Sequence, residues 1–219
     1  MPVGVVKRLI QDNKPIQAGV ESRTLTIFFC DLVNFSTMTQ QISPDELLEC
    51  MSAFFSVVTR EITAELGTVD KFIGDSVMAI WGAPTPVEDH AVRACRAAVA
   101  MTRELEKVNS LWSRQGKPTL GLRIGINSAE VLVGNIGSPD RLSYTVLGDG
   151  VNVASRLEGK NKELGTKICI SDSTYELAKD YIVARPIRPV SVKGRTGEFM
   201  VYELLDMRSS ISAEPLSAI

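Results

Sequence analysis

Apolar positions along the chain fall into short β-branched runs and longer stripes of helical spacing. Residues 24–30 form a β-branched and aromatic run that stops at Asp31, which predicts a buried strand delivering a carboxylate. Ser43, Pro44, Asp45 and Glu46 combine an N-cap, a proline at the first helical position and acidic residues against the positive end of the helix dipole. The helix they open carries Leu47, Leu48, Met51, Phe54, Phe55, Val58, Ile62 and Leu66 at helical spacing and stops at Gly67. Residues 68–73 and 76–81 predict two strands around Gly74-Asp75, a hairpin signal that puts a second carboxylate at a tight turn.

Beyond Pro84 and Pro86 an amphipathic pattern predicts a long helix over 89–115, closed by Gly116-Lys117-Pro118. Strands are expected at 120–126, 131–136 and 142–147, then a helix over 151–158 led in by Gly148-Asp149-Gly150. A strand at 167–170, a short helix near 174–179 and strands at 187–192 and 199–204 complete the pattern. The opening order is βαββαβ, so the expected class is α+β, a sheet with helices packed mainly on one face. Residues 1–20 are polar with one short apolar cluster (Val5, Val6, Leu9, Ile10), and the tail from about Arg208 is rich in Ser, Ala and Pro. The expected division is an N-terminal linker or helix over 1–20, one domain over 21–206 and a flexible tail over 207–219.

Composition narrows the chemistry. With 24 Lys and Arg against 26 Asp and Glu, the net charge of −2 supplies no overall basic field for nucleic acid, and no nucleic-acid partner is expected. His90 is the single histidine, so sites needing two or more histidines from one chain are excluded. Cys30, Cys50, Cys95 and Cys169 are far apart and lack a Cys-x-x-Cys pair, which suits reduced thiols and a cytoplasmic location. No apolar run reaches the roughly 18 to 20 residues of a membrane span.

Asp31 and Asp75, each at a strand end beside a turn, suit a two-metal phosphoryl or nucleotidyl transfer site. There, shared carboxylates hold two divalent cations about 3.5 to 4 Å apart. Aspartates at strand ends also serve as turn formers and helix caps, so the pair alone leaves both readings open.

Their surroundings decide between them. The segments Phe28-Phe29-Cys30-Asp31-Leu32-Val33-Asn34-Phe35-Ser36, Gly67-Thr68-Val69-Asp70-Lys71-Phe72-Ile73-Gly74-Asp75-Ser76 and Tyr144-Thr145-Val146-Leu147-Gly148-Asp149-Gly150-Val151-Asn152-Val153-Ala154-Ser155-Arg156-Leu157 strongly resemble, in this order, the catalytic domain of class III adenylate cyclases. The resemblance runs from about Arg23 to Leu205 and includes Val192-Lys193-Gly194. It implies the class III nucleotide cyclase fold, a ferredoxin-like βαββαβ core with extra C-terminal strands and a helix. It also implies conversion of ATP to 3′,5′-cyclic AMP and pyrophosphate by a homodimer with two shared active sites.

Carried over residue by residue, the resemblance makes Asp31 and Asp75 metal ligands, with the backbone carbonyl of Leu32 as a further one. The implied cofactors are two divalent cations, Mg²⁺ or Mn²⁺, per site. Asn152 and Arg156 are four residues apart, so on a helix they share a face. The family uses such a pair to position the ribose and to stabilise charge on the α-phosphate. Phe35 and Ser36 fall in the phosphate-facing loop, and Lys193 resembles the lysine that contacts the terminal phosphates.

Donor and acceptor chemistry bears on the base. Lys71 is a pure donor and fits adenine N1, whereas a guanine N1–H would face an ammonium. Thr145 can accept from the adenine N6 amino group. Guanylate cyclases carry an acidic residue at the position of Lys71 and typically Cys at that of Thr145. Thr resembles a largely bacterial subgroup, some of whose members respond to bicarbonate, and an upstream regulatory domain is a further partner the resemblance implies. Asn34 stands where many relatives have Gly, and Asn127-Ser128-Ala129 replaces a common His-x-Gly. No P-loop lysine motif or Gly-x-Gly-x-x-Gly is present, which rejects the classical P-loop and dinucleotide folds.

Overall fold

A computed structural model describes residues 19–138, 140–191 and 198–208. The chain runs β1 (Gly19–Leu32), α1 (Phe35–Gln41), α2 (Pro44–Ala64), β2 (Thr68–Ile73), β3 (Ser76–Trp81), α3 (His90–Ser113) and β4 (Leu122–Ser138). It continues with β5 (Arg141–Leu147), α4 (Asp149–Leu164), β6 (Ile168–Ser171), α5 (Asp172–Ala178), β7 (Ile182–Ser191) and β8 (Glu198–Met207). An 8-stranded sheet has the order β2-β3-β1-β4-β6-β8-β7, with β5 paired to β4. The segment β2-β3-β1-β4 is the antiparallel ferredoxin-like core, and β6 joins it in parallel to β4. The α+β class and the cyclase-type core expected from the sequence are therefore present.

β1 is apolar at consecutive positions because both faces of the sheet are covered. Phe28, Cys30 and Leu32 belong to the core that α2 and α3 cover with Phe54, Val58, Ile62, Cys95 and Met101. Leu25, Ile27 and Phe29 face the other way, into a second cluster with Ala154 of α4. A helix thus lies on the face opposite α2 and α3, an addition to the mainly one-sided packing expected. Gly125 permits it: a Cβ there would lie 2.2 Å from Ala154 O and Glu158 N, so the α4 backbone rests directly on β4. Trp81 is fully buried at the end of β3, edge-on to Phe28 at 5.6 Å, and its indole N–H donates to Glu65 O. α2 starts at the capping box the sequence signals, with reciprocal bonds between Ser43 and Glu46.

The expected strands at 120–126 and 131–136 are one strand, β4. Asn127 and Ser128 look like a break but are buried, and their polar atoms find partners on β1 and on the helices that cover the sheet. Thr26 Oγ1 is 2.8 Å from Ser128 Oγ, which is 3.0 Å from Thr174 Oγ1 of α5, and His90 Nδ1 joins at Thr26. α1 was not expected: it is short, and its N-cap, Asn34, makes no side-chain capping bond. The helix expected over 151–158 extends to Leu164, and β7 starts at Ile182 instead of at 187. β1 includes Gly19 and Val20, assigned from sequence to the linker, and β8 includes Met207, assigned to the tail.

Candidate active site

Asp31 is the penultimate residue of β1, paired in register with Arg123 of β4. Asp75 occupies the turn between β2 and β3, and β3 pairs with β1 up to Val77 opposite Cys30, which carries that turn to the end of β1. Ser76 Oγ donates to Asp31 Oδ1 at 2.6 Å. Burial, the negative charge of Asp31 and a side-chain hydrogen bond to Asp31 hold the Asp75 carboxyl above its ordinary pKa, and its own backbone amide pulls the other way. Two carboxylates this close repel one another, and a bound cation would relieve that repulsion.

Glu158, on the third turn of α4, joins them. Burial pushes its carboxyl up to about 7, and Asp31 and Asp75 add to the rise while Arg123 opposes it. The close seating of α4 on Gly125 brings this carboxylate to the end of β1. The donor set is all oxygen, which suits a hard cation such as Mg²⁺ or Mn²⁺. Among the described residues no three His, Cys, Asp or Glu side chains converge as a cage. Asp31 and Asp75 would thus leave positions for a backbone carbonyl, water and phosphate oxygens, the usual pattern for Mg²⁺. The Leu32 side chain is buried in the core and has no donor atom, so its contribution would be the backbone carbonyl.

A second group forms where β2 meets β5. Lys71 Nζ donates to Thr145 Oγ1 at 2.9 Å, and Thr145 Oγ1 donates to Asp70 Oδ2 at 2.5 Å. Lys71 and Asp70 form an ion pair at 3.4 Å. Among the described residues no hydrogen bond or ion pair joins this group to the carboxylates of Asp31 and Asp75.

α4 carries Asn152, exposed, and Arg156, half-buried. Arg156 Nη1 is buried and has no hydrogen-bond partner among the described residues, an orphaned donor that an anionic ligand would satisfy. The helix start is tied down by Asn127, whose Nδ2 donates to Gly150 O at 2.9 Å. Phe35 and Ser36 open α1 directly after Asn34, which has φ 61°. The Thr37 and Met38 amides donate to Asn34 O, so the amides of Phe35 and Ser36 are those with no helical acceptor. Lys193 lies outside the described residues.

Sequence reasoning missed Asp70, Ser76, Arg123, Asn127 and Glu158. Ser76 was legible as the residue after the hairpin turn. The others depend on contacts between distant segments that no local spacing signals.

An α+β sheet with an acidic strand end, a hairpin carboxylate and an arginine-bearing helix after a glycine turn defines the class of nucleotide cyclase domains. Residues 19–206 match the family model of the adenylate and guanylate cyclase catalytic domain, and the chain belongs to that family. It is 37% identical over 207 residues to adenylate cyclase 1 of Rhizobium meliloti, covering 90% of this chain and 31% of that protein. It is 32% identical over 202 residues to an adenylate cyclase of Anabaena cylindrica, covering 89% of this chain and 39% of that one. The chain therefore spans well under half the length of these relatives. Among solved structures, the adenylyl cyclase CyaB from P. aeruginosa superposes with a TM-score of 0.79 at 32% identity, over 87% of this chain and 98% of that one. The guanylyl cyclase Cya2 gives 0.81 at 33% identity, over 89% and 98%. Shape and overall identity do not separate the two bases, so the choice rests on side chains.

Proposed function

We propose that this domain is an adenylate cyclase, converting ATP to 3′,5′-cyclic AMP and pyrophosphate. The observation that carries the reading is the hydrogen bond between Lys71 and Thr145, residues far apart in sequence that together present a donor and an acceptor to a base. Adenine N1 takes the ammonium proton and the N6 amino group donates to the hydroxyl, whereas guanine offers N1–H and O6, the reverse of both.

In this reading the ribose 3′-oxygen attacks the α-phosphorus in line. One P–O bond forms, the bond to pyrophosphate breaks and one proton is released. Divalent cations bound by Asp31, Asp75 and the Leu32 carbonyl would neutralise phosphate charge and acidify the attacking hydroxyl. Asn152 orients the ribose, and Arg156 supplies its unpartnered N–H to the charge growing on the α-phosphate, a contact that strengthens in the transition state. The first amides of α1, at Phe35 and Ser36, receive phosphate oxygens, and Lys193 contacts the terminal phosphates.

Asn152 and Arg156 serve the carboxylates of a second copy, so the working unit is a homodimer with two shared sites. We place it in the cytoplasm, where its four buried free thiols stay reduced. The catalytic domain takes in Gly19 and Val20 at the start of β1 and Met207 at the end of β8, and a regulatory domain is a further partner in this reading. Bicarbonate is a candidate activator of the Thr145 subgroup. The test is incubation of the purified chain with ATP or GTP and Mn²⁺ or Mg²⁺, with the products separated chromatographically. Cyclic AMP from ATP, at a rate well above cyclic GMP from GTP, is the expected outcome, and preferential use of GTP would overturn it.

A further inference from the structure

A threonine hydroxyl is an ambiguous reader of a base. It carries one proton and two lone pairs, and it can rotate to donate to guanine O6 as readily as to accept from adenine N6. Thr145 is not free to do this. Its hydroxyl proton is directed at Asp70 Oδ2 at 2.5 Å, and one lone pair already receives Lys71 Nζ at 2.9 Å. Asp70, ion-paired with Lys71, offers only lone pairs, and 2% of its side chain is exposed.

The backbone shows how Asp70 comes to lie there. In a regular strand, successive side chains point to opposite faces, so Asp70 and Lys71 could not both reach Thr145. β2 and β3 change register between Val69, paired with Ala79, and Lys71, paired with Met78. Asp70 is the extra residue of this bulge, and a bulge re-aims a side chain in this way. β5 supplies Thr145, itself buried, opposite Gly134 of β4.

We propose that Asp70 is a positioning residue for base selection, which makes Thr145 an obligate hydrogen-bond acceptor. The inference rests on the adenylate cyclase reading above. With its proton committed to a buried carboxylate in a charge-assisted bond, the hydroxyl presents to the base only its remaining lone pair. Adenine N6 meets that lone pair with a donor. Guanine O6 meets it with another acceptor, and turning the hydroxyl round would leave a buried carboxylate oxygen without its donor. Asp70 also holds the Lys71 ammonium beside Thr145, so both elements of the recognition pattern are fixed before nucleotide arrives.

The test compares wild type, Asp70→Asn, Thr145→Val and the double variant by the ratio of kcat/KM for ATP to that for GTP, with thermal melting as a check on folding. Asparagine has nearly the same shape and can donate to Thr145, which frees the hydroxyl proton. The ATP:GTP ratio should fall roughly ten- to hundredfold in Asp70→Asn, from weaker use of ATP and gained use of GTP. In the Thr145→Val background the same substitution should change the ratio little, because its route through the hydroxyl is gone. A merely structural role would lower both nucleotides alike. If Asp70→Asn abolishes turnover, competition between 3′-deoxy-ATP and 3′-deoxy-GTP for binding supplies the ratio; if it does not fold, Asp70→Ser takes its place. An unchanged ratio in a folded Asp70 variant overturns the inference, as does an equal effect in the Thr145→Val background. If wild type itself shows no preference for ATP, the adenylate cyclase reading has failed instead.

Discussion

Ser76 holds the Asp31 carboxylate by a 2.6 Å hydrogen bond, linking the end of β1 to the first residue of β3 across the hairpin that carries Asp75. Both carboxyls are therefore fixed by strand pairing, and neither is part of the apolar core. Asp31→Ala and Asp75→Ala should each lower turnover by on the order of a thousandfold or more, since a cation contributes several kcal/mol of transition-state stabilisation. Circular dichroism and gel filtration should remain those of wild type. Substantial metal-dependent activity in either folded variant would refute their assignment as ligands.

Glu158 gives the metal-free protein a pH dependence of definite sign. Its ordinary value is 4.5 and the folded chain raises it to about 7, so the folded state favours the protonated form. Stability from this group is fully present below about pH 4.5 and is lost as pH rises through about 7. Solvent screening of this partly exposed carboxyl makes the loss by pH 8 smaller than the full shift implies, on the order of 1 to 2 kcal/mol, and the raised Asp75 carboxyl acts in the same direction. Urea unfolding in EDTA should show a marked fall in stability from pH 5 to pH 8 in wild type and a smaller one in Glu158→Gln. The variant should be the more stable protein at pH 8, and identical slopes would mean that Glu158 does not titrate in this window.

Arg156→Ala should lower kcat far more than it raises KM. The buried Nη1 finds no protein acceptor, which fits a contact made to charge that develops during reaction. Steady-state kinetics decide this, and a change confined to KM would make Arg156 a ground-state binding residue.

Gly125→Ala should destabilise the domain by roughly 1 to 3 kcal/mol and reduce activity as well. Its Cβ would meet α4 backbone at 2.2 Å, where no flexible side chain can yield, and α4 bears Asn152, Arg156 and Glu158. Urea denaturation together with the cyclase assay measures both effects. Native stability in this variant would show that the seating of α4 on β4 is looser than the contact implies.

Elements whose signals are local were legible in the sequence. β2 and β3 begin and end at the residues expected, because a Gly-Asp turn between two apolar runs fixes both boundaries. The α2 start follows from its capping box. β4 was misread as two strands because Asn127 and Ser128 look like a break, yet their polar atoms are satisfied by Gly150, Thr26 and Thr174, partners up to 102 residues away. The same reasoning explains the candidate site. Asp31, Asp75, Lys71, Thr145, Asn152 and Arg156 stand in recognisable segments, whereas Asp70 acquires its position from a bulge and Glu158 its raised pKa from a helix packed on a glycine.

The last prediction concerns the shared site. Within one chain the Lys71–Thr145 group and the Asp31–Asp75 pair are separate, joined by no hydrogen bond or ion pair among the described residues. In the proposed homodimer, the aspartates of one copy face the Lys71, Thr145, Asn152, Arg156 and Lys193 of the other. Asp31→Ala and Arg156→Ala chains should each be inactive alone. In a mixed dimer one site carries both lesions and the other carries neither. With random exchange half the dimers are mixed and half of their sites are whole, so activity should return to about a quarter of wild type if the sites act independently. Differently tagged chains, co-purified to demonstrate exchange, provide the control. A mixture that exchanges subunits and stays as inactive as its components would place the aspartates and Arg156 of each working site on the same chain.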